Sequence, residues 1–496
     1  MLNLALRLII FYNTDLFYFS DFRFYLNALE KISNGEAVPL ASGNFLFAIS
    51  HIGYFFKYVL GNLDYFFWVN SLLGAAASVI ISLLVYYSTS DKLAAIINLG
   101  LLTIYTEFIA FSSVFYTVVI MIFLLASLIF ILYKYYETSK TTFIIVYAVL
   151  IILLSTFSFL FKQELLFLPV FLLAGAFILR KNKSFLKKTF ILSALLSLAT
   201  IVFYKSGVLP KNGEADLVND FVFFGHTDYG GDGGEGAFIY PENKKRYDIA
   251  WEDYLILNRI TTPTITDRNR FQAAEIKKFV LHHPGKWVKL QLTKLLRTFG
   301  VVPESISYKI LYTGLLKNRI WLTSIIVVSP VAIIVLLFII LFDHQAIRRL
   351  INPSTGNWQP EPSTQHPGTI TQNPEPSTQY QVPSTLDPIK KRQGFLFIYL
   401  TIFIYYMLAT IFFGQYQERY RMPLMVVFII PALSYFIASF DRKLFLTKKS
   451  LISKSLIVIV LLIAWSFQAH KAINNKGRLK NAIESAEIQT GKTLKP

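Results

Sequence analysis

Near the start of the chain, a polar and aromatic run follows the first apolar stretch: Ser20-Asp21-Phe22-Arg23-Phe24-Tyr25, continuing to Gly35. Asp21, Tyr25, Ala28 and Ile32 fall on one face of a helix that Gly35 ends. A carboxylate at the head of such a helix can take a proton from a hydroxyl or an amine. The same residues also read as ordinary helix chemistry, Ser20 capping the helix and Asp21 complementing its positive end. Late in the chain, Glu418-Arg419-Tyr420-Arg421-Met422-Pro423 opens an apolar run. A guanidinium placed there binds phosphate in bidentate fashion, or it snorkels around a helix end. Between these two runs, Glu107 and the Lys162-Gln163-Glu164 step put ionisable groups at the edges of apolar segments. Lys162 can reach a substrate anion or form a salt bridge with Glu164 or Glu107.

Other candidates are weaker. The run Asp228-Tyr229-Gly230-Gly231-Asp232-Gly233-Gly234-Glu235-Gly236 offers oxygen ligands for a cation, but its spacing is not that of an EF-hand and a solvated turn is the plainer reading. His226, His282 and His283 have no second ligand set at zinc spacing and read as structural. The chain contains no cysteine, which excludes a disulfide framework, a thiolate metal site and a cysteine nucleophile.

The elements that must carry these residues are membrane helices. Of the 496 residues, 54% are hydrophobic and only 16% charged, against roughly 25% charged in soluble domains. Apolar runs such as Phe67 to Tyr87 and Phe111 to Tyr133 match the roughly 20 residues that cross a bilayer. Backbone groups in lipid have no water to bond, so each run must be helical. The pattern predicts an all-α polytopic membrane protein with about eleven crossings, over 1–19, 67–87, 93–109, 111–133, 143–161, 164–179, 189–204, 320–342, 394–413, 422–439 and 452–469. Asn44 to Leu60 carries His51 and Lys57 and reads as an interfacial or re-entrant helix.

A cytoplasmic N-terminus puts the basic clusters Arg180 to Lys188, Lys390 to Arg392 and Arg442 to Lys449 on one side, following the positive-inside rule. The formal charge of +18 is thereby accounted for without nucleic acid. The same parity places 20–66, Glu107, Lys162 to Glu164, 205–318 and Arg419 to Tyr420 outside, and the basic tail after His470 as well. The predicted organisation is a transmembrane module over 1–204 with a first outer loop at 20–66, then a small outer domain at 205–318. A transmembrane helix at 319–342, a cytoplasmic linker at 343–393, C-terminal helices over 394–470 and a basic tail at 471–496 follow. The linker repeats Pro-Glu-Pro-Ser-Thr-Gln at 360–365 and 374–379 and is predicted to be disordered. Within 205–318, Val288, Leu292, Leu295, Leu296 and Phe299 share a face, predicting an amphipathic helix on the membrane surface.

An acid followed by Tyr, Ala and Gly at this spacing, just after a first transmembrane helix, resembles the GT-C superfamily of glycosyltransferases. Protein O-mannosyltransferases and bacterial lipid A aminoarabinose transferases belong to it. Further points of likeness are Gly43 to Leu73 in the first loop, Lys162-Gln163-Glu164, the His283-Pro284 amphipathic stretch and Glu418 to Pro423. The resemblance covers most of the chain outside 352–388. It implies a polyprenyl-phosphate-linked sugar as donor, a glycan, lipid or protein acceptor, and an active site on the outer face of a bacterial inner membrane. By position, Asp21 inherits the role of activating the acceptor, with Asp15 as the fallback and Tyr25 in support. Arg419, Tyr420 and Lys162 inherit the leaving phosphate, and Glu107 and Glu164 are supporting candidates. Asp15 and Asp21 together would suit a divalent cation, found in some relatives. Where many relatives carry an acid near the fourth helix, this chain reads Val114-Phe115-Tyr116-Thr117, with Glu107 the nearest carboxylate.

Two other enzyme or carrier classes share the membrane architecture. An O-antigen ligase or polymerase would place its large outer loop later in the chain. A secondary transporter would show paired, interrupted helices in two related halves with charges near the bilayer middle, and the sequence shows neither such a repeat nor such charges.

Overall fold

The computed structural model describes residues 1–13, 21–36, 44–161, 170–174, 183–205, 220–230, 241–298, 399–408 and 418–438, with single positions between and beyond these ranges. Among the described residues every regular element is a helix. The first six are α1 (Leu2–Tyr12), α2 (Asp21–Ser33), α3 (Asn44–Tyr54, continued by a π turn Phe55–Val59), α4 (Asp64–Thr89), α5 (Lys92–Ile104) and α6 (Thr106–Ala110). After a 3₁₀ turn at Phe111–Ser113 come α7 (Val118–Glu137), α8 (Thr141–Phe161) and α9 (Lys183–Lys205). Then α10 (Asp220–His226), α11 (Pro241–Leu257), α12 (Ile265–His282) and α13 (Pro284–Thr298) follow one another. Finally α14 (Glu418–Pro423) runs through a π segment, Leu424–Ile429, into α15 (Ile430–Ala438).

The protein is a helical membrane protein. Four helical segments are long and apolar enough to cross a bilayer, namely Asp64–Thr89, Val118–Glu137, Thr141–Ser158 and Phe185–Val202. The α5–α6 pair makes a fifth if its 61° bend is counted within one span. The expected spans at 67–87, 111–133, 143–161 and 189–204 overlap these four, the second of them from Val118 on. Those at 164–179 and 320–342 fall largely outside the described residues, those at 394–413 and 452–469 over about half their length, and 343–393 and the tail at 471–496 wholly.

Local sequence explains several boundaries. Ser90 adopts a left-handed conformation between α4 and α5, and the Asp91 side chain then accepts from the Leu93 and Ala94 amides, capping α5. Thr264 and Asp267 form a reciprocal capping box at the start of α12.

Packing between spanning helices uses small and polar residues, as expected where lipid removes the hydrophobic drive for association. Along α4, Gly74, Ala77, Ser78 and Ser82 are buried. Ser82 receives a hydrogen bond from Asn98 of α5 at 2.9 Å, and Ser434 of α15 donates to Asn98 at 3.4 Å. This polar seam ties the late helices to the early ones.

The main departure from the expected spans lies between 93 and 118. In place of the expected boundary at 110 the chain breaks at Tyr105, and α7 begins only at Val118. A break in a buried helix leaves carbonyls unpaired, which is costly unless side chains supply donors. Asn3 donates to the Leu102 carbonyl at 3.4 Å and to Thr103 Oγ1 at 3.2 Å. Asn70 donates to the carbonyls of Ser112 and Phe111 at 3.1 and 3.4 Å. Tyr399 likewise serves the π segment, donating to the carbonyls of Phe428, at 2.9 Å, and Val427.

Candidate functional site

The break at Tyr105 creates the site. Because α6 restarts in a new direction, Glu107 lies in its first turn, fully enclosed by protein. Tyr105 donates its hydroxyl proton to Glu107 Oε2 at 2.6 Å, while Arg421 Nη2 donates to Glu107 Oε1. The Arg421 and Glu107 side chains are 1% and 2% exposed, so this ion pair is wholly removed from solvent. The expectation that Arg421 snorkels at a helix end is therefore corrected: its guanidinium is buried and paired. Glu107 takes Arg421 as partner.

The pair joins the interrupted span to the turn that carries Arg419 and Tyr420. Both belong to α14, and Arg419 precedes Arg421 by two positions, about 200° around a helix. Arg421 is held toward Glu107, so the backbone at Arg419 occupies the opposite side of the turn.

The helix α2 meets the same broken segment. Tyr25, 1% exposed, packs against Tyr116 at 5.4 Å between ring centroids and against Phe115 at 6.3 Å. Tyr116 in turn contacts Phe111 at 6.3 Å. From the other side α3 closes in at Gly53, where a Cβ would lie 2.6 Å from Leu29 and closer still to Phe115. Asp21 is the first residue of α2, one turn or about 6 Å along the axis from Tyr25. Tyr25 thus anchors α2 on the segment that leads from Glu107 into α7.

Asp15, Lys162 and Glu164 lie outside the described residues. Among the described residues no cluster of three or more His, Cys, Asp or Glu side chains is poised to hold a metal ion. In the glycine-rich run, Asp228 pairs with Arg246 at 3.2 Å across exposed surface, and 231–236 lies outside the described residues.

Sequence reasoning missed Arg7, Asn3 and Asn70, all buried around the break. A signal did exist: Asn3 and Arg7 stand four apart in an otherwise apolar helix, hence on one face.

A second polar joint lies in the 205–318 segment. Phe223, Phe224, Tyr229, Tyr247 and Phe271 form an aromatic cluster separate from the main core. Trp287 of α13 donates to His226 Nδ1 at 3.1 Å, and Gln291 and Lys294 both donate to the Gly225 carbonyl, at 3.1 and 2.9 Å. Of the residues expected on one apolar face of α13, Val288 and Leu292 are exposed, whereas Leu295 packs against the main core. Burial pushes the Lys294 ammonium down to about 7 from its ordinary 10.5. Between those values the unfolded chain binds more protons than the folded one, so stability rises with pH across the window and is lowest below it. Lys294→Met is expected to remove that slope, at most about 1.4 kcal/mol per pH unit, and to raise the melting temperature at pH 7. Thermal unfolding in detergent at pH 7 and pH 10 checks both; equal pH slopes in the two proteins contradict it.

No known family model matches the chain, and no curated protein or solved structure is similar to it.

Proposed function

We propose that the chain is an integral membrane glycosyltransferase, transferring a sugar from a polyprenyl-phosphate donor to an acceptor at the non-cytoplasmic face with inversion. The supporting observation is the Glu107–Arg421 pair, which fastens the turn bearing Arg419 and Tyr420 to the broken segment on which α2, starting at Asp21, also docks. Asp21 and Arg419, from distant parts of the chain, belong to helices that meet one scaffold, which supports reading them as the acid and the phosphate-binding cation.

In this reading Asp21 takes the proton from the acceptor hydroxyl or amine as that atom attacks the anomeric carbon. The bond from that carbon to the phosphate oxygen breaks, and the leaving phosphate keeps the electron pair. Arg419 receives it with a bidentate fork, while Tyr420 and Lys162 add further donors. Backside displacement inverts the anomeric centre. A divalent cation, which the resemblance allows, would need Asp15 beside Asp21; the steps above place the proton and the charge on the protein alone.

Comparing lipid-linked sugars and envelope glycans by mass spectrometry, with the gene present and deleted, tests the proposal. Deletion is expected to accumulate a polyprenyl-phosphate sugar and to deplete one glycan. An unchanged pool, together with failure of the purified protein to consume such donors, sinks the transferase reading. A second reading, secondary transport, is favoured by one feature: an interrupted helix carrying a buried ion pair. Loss of solute uptake on deletion with unchanged lipid-linked sugars would select it.

A further inference from the structure

We propose that Arg7 is a positioning residue for this site: its guanidinium closes the break in the interrupted span and so sets where Glu107 stands against Arg421. Arg7 is 0% exposed near the middle of α1, where an unpaired cation in an apolar bundle is expensive and calls for a specific reason. Its contacts supply that reason. Nε donates to Asn3 Oδ1 at 2.8 Å; Nη1 donates to the Phe108 carbonyl at 3.0 Å and to Ser112 Oγ. The guanidinium carbon also lies 4.1 Å from the centre of the Phe108 ring. No carboxylate pairs with it among the described residues. Its hydrogen bonds and ring contact fall on the residue after Glu107, on the 3₁₀ turn and on Asn3, which itself binds the end of α5.

One cation thus holds both sides of the break through α1. Phe108 is fixed by its ring and by its carbonyl, which leaves its neighbour Glu107 little freedom in direction. Glycine at position 74 is part of the same device. A Cβ there would stand 2.6 Å from the guanidinium carbon and nearer still to Nη1, so a larger residue at 74 displaces the guanidinium from where it now lies.

The consequence for donor use rests on the transferase reading, whereas the geometry of the break does not. The cysteine-free chain allows both to be tested together. Ser113, 5% exposed on the broken segment, is replaced by cysteine as a reporter. Its rate of reaction with a membrane-permeant maleimide is measured in otherwise native protein and with Arg7→Lys, Arg7→Gln or Gly74→Ala added. Arg7→Gln and Gly74→Ala are each expected to speed labelling by about tenfold or more, as local opening replaces a packed turn. Arg7→Lys, which keeps the charge but loses the fork, is expected to fall between.

In transfer assays Arg7→Gln should raise the donor KM by about tenfold while kcat changes by less than about threefold. A residue that only stabilised the bundle would lower the melting temperature and leave that ratio alone. If Arg7→Gln does not fold, Gly74→Ala and Arg7→Lys carry the test, because both retain a cation. Native labelling rates and native donor KM in those variants overturn the proposal. Faster labelling in a chain that transfers no sugar in any form supports the positioning role and removes the transferase reading instead.

Discussion

Asp21→Asn is expected to lower sugar transfer by about a hundred- to ten-thousandfold, the range over which a positioned general base contributes. The amide keeps the size of the carboxylate and discards its ability to accept the acceptor's proton. Folding should survive the change. The helix α2 is anchored by Tyr25 and Leu29, both buried in the main core, rather than by its first residue. Losing a negative charge at the positive end of a helix costs only about 0.3 to 1 kcal/mol. The measurement is single-turnover transfer from a polyprenyl-phosphate sugar at saturating acceptor, with expression and melting temperature followed alongside. Native turnover in the asparagine variant would remove Asp21 from the mechanism.

Arg421→Met is expected to destabilise the protein by about 3 to 5 kcal/mol, since deleting one partner strands the other charge in a dry interior. The cost should be visible in detergent as a large fall in melting temperature. Adding Glu107→Gln is expected to restore most of the loss, because a neutral amide needs far less solvation than an isolated carboxylate and Tyr105 can still donate to it. This non-additivity is the signature of direct coupling. Equal losses in the single and double variants would mean that the two helices are held together by packing alone. In the transferase reading the double variant should still use its donor poorly, because nothing then fixes the turn that carries Arg419 and Tyr420.

These two experiments separate the chemistry from its scaffold. Asp21 begins a helix whose stability comes from aromatic contacts further along it, so its removal reads on reaction. Arg421 and Glu107 hold two segments in place, so their removal reads on stability and, in the transferase reading, on donor use through the position of the turn that carries Arg419 and Tyr420.

The amino-acid sequence by itself determined the membrane character, the helical secondary structure and several element boundaries. Length and continuous apolarity suffice for spans such as Asp64–Thr89, and a capping box needs only Thr264 and Asp267. Asp21 and Tyr25 were legible as one helical face, because that periodicity is local. The break at Tyr105 was not legible. The sequence placed a boundary near 110, between spans at 93–109 and 111–133, but not the sharp bend at Tyr105, which is tolerable because Asn3, Arg7 and Asn70, distant along the chain, hydrogen-bond the carbonyls it frees. Tertiary structure likewise decided the fate of Arg421. A guanidinium at a helix end goes to the headgroups unless a buried carboxylate waits nearby, and Glu107 lies 314 positions away in sequence. Which charges a bilayer protein buries depends on partners brought together by packing, and no local pattern encodes that meeting.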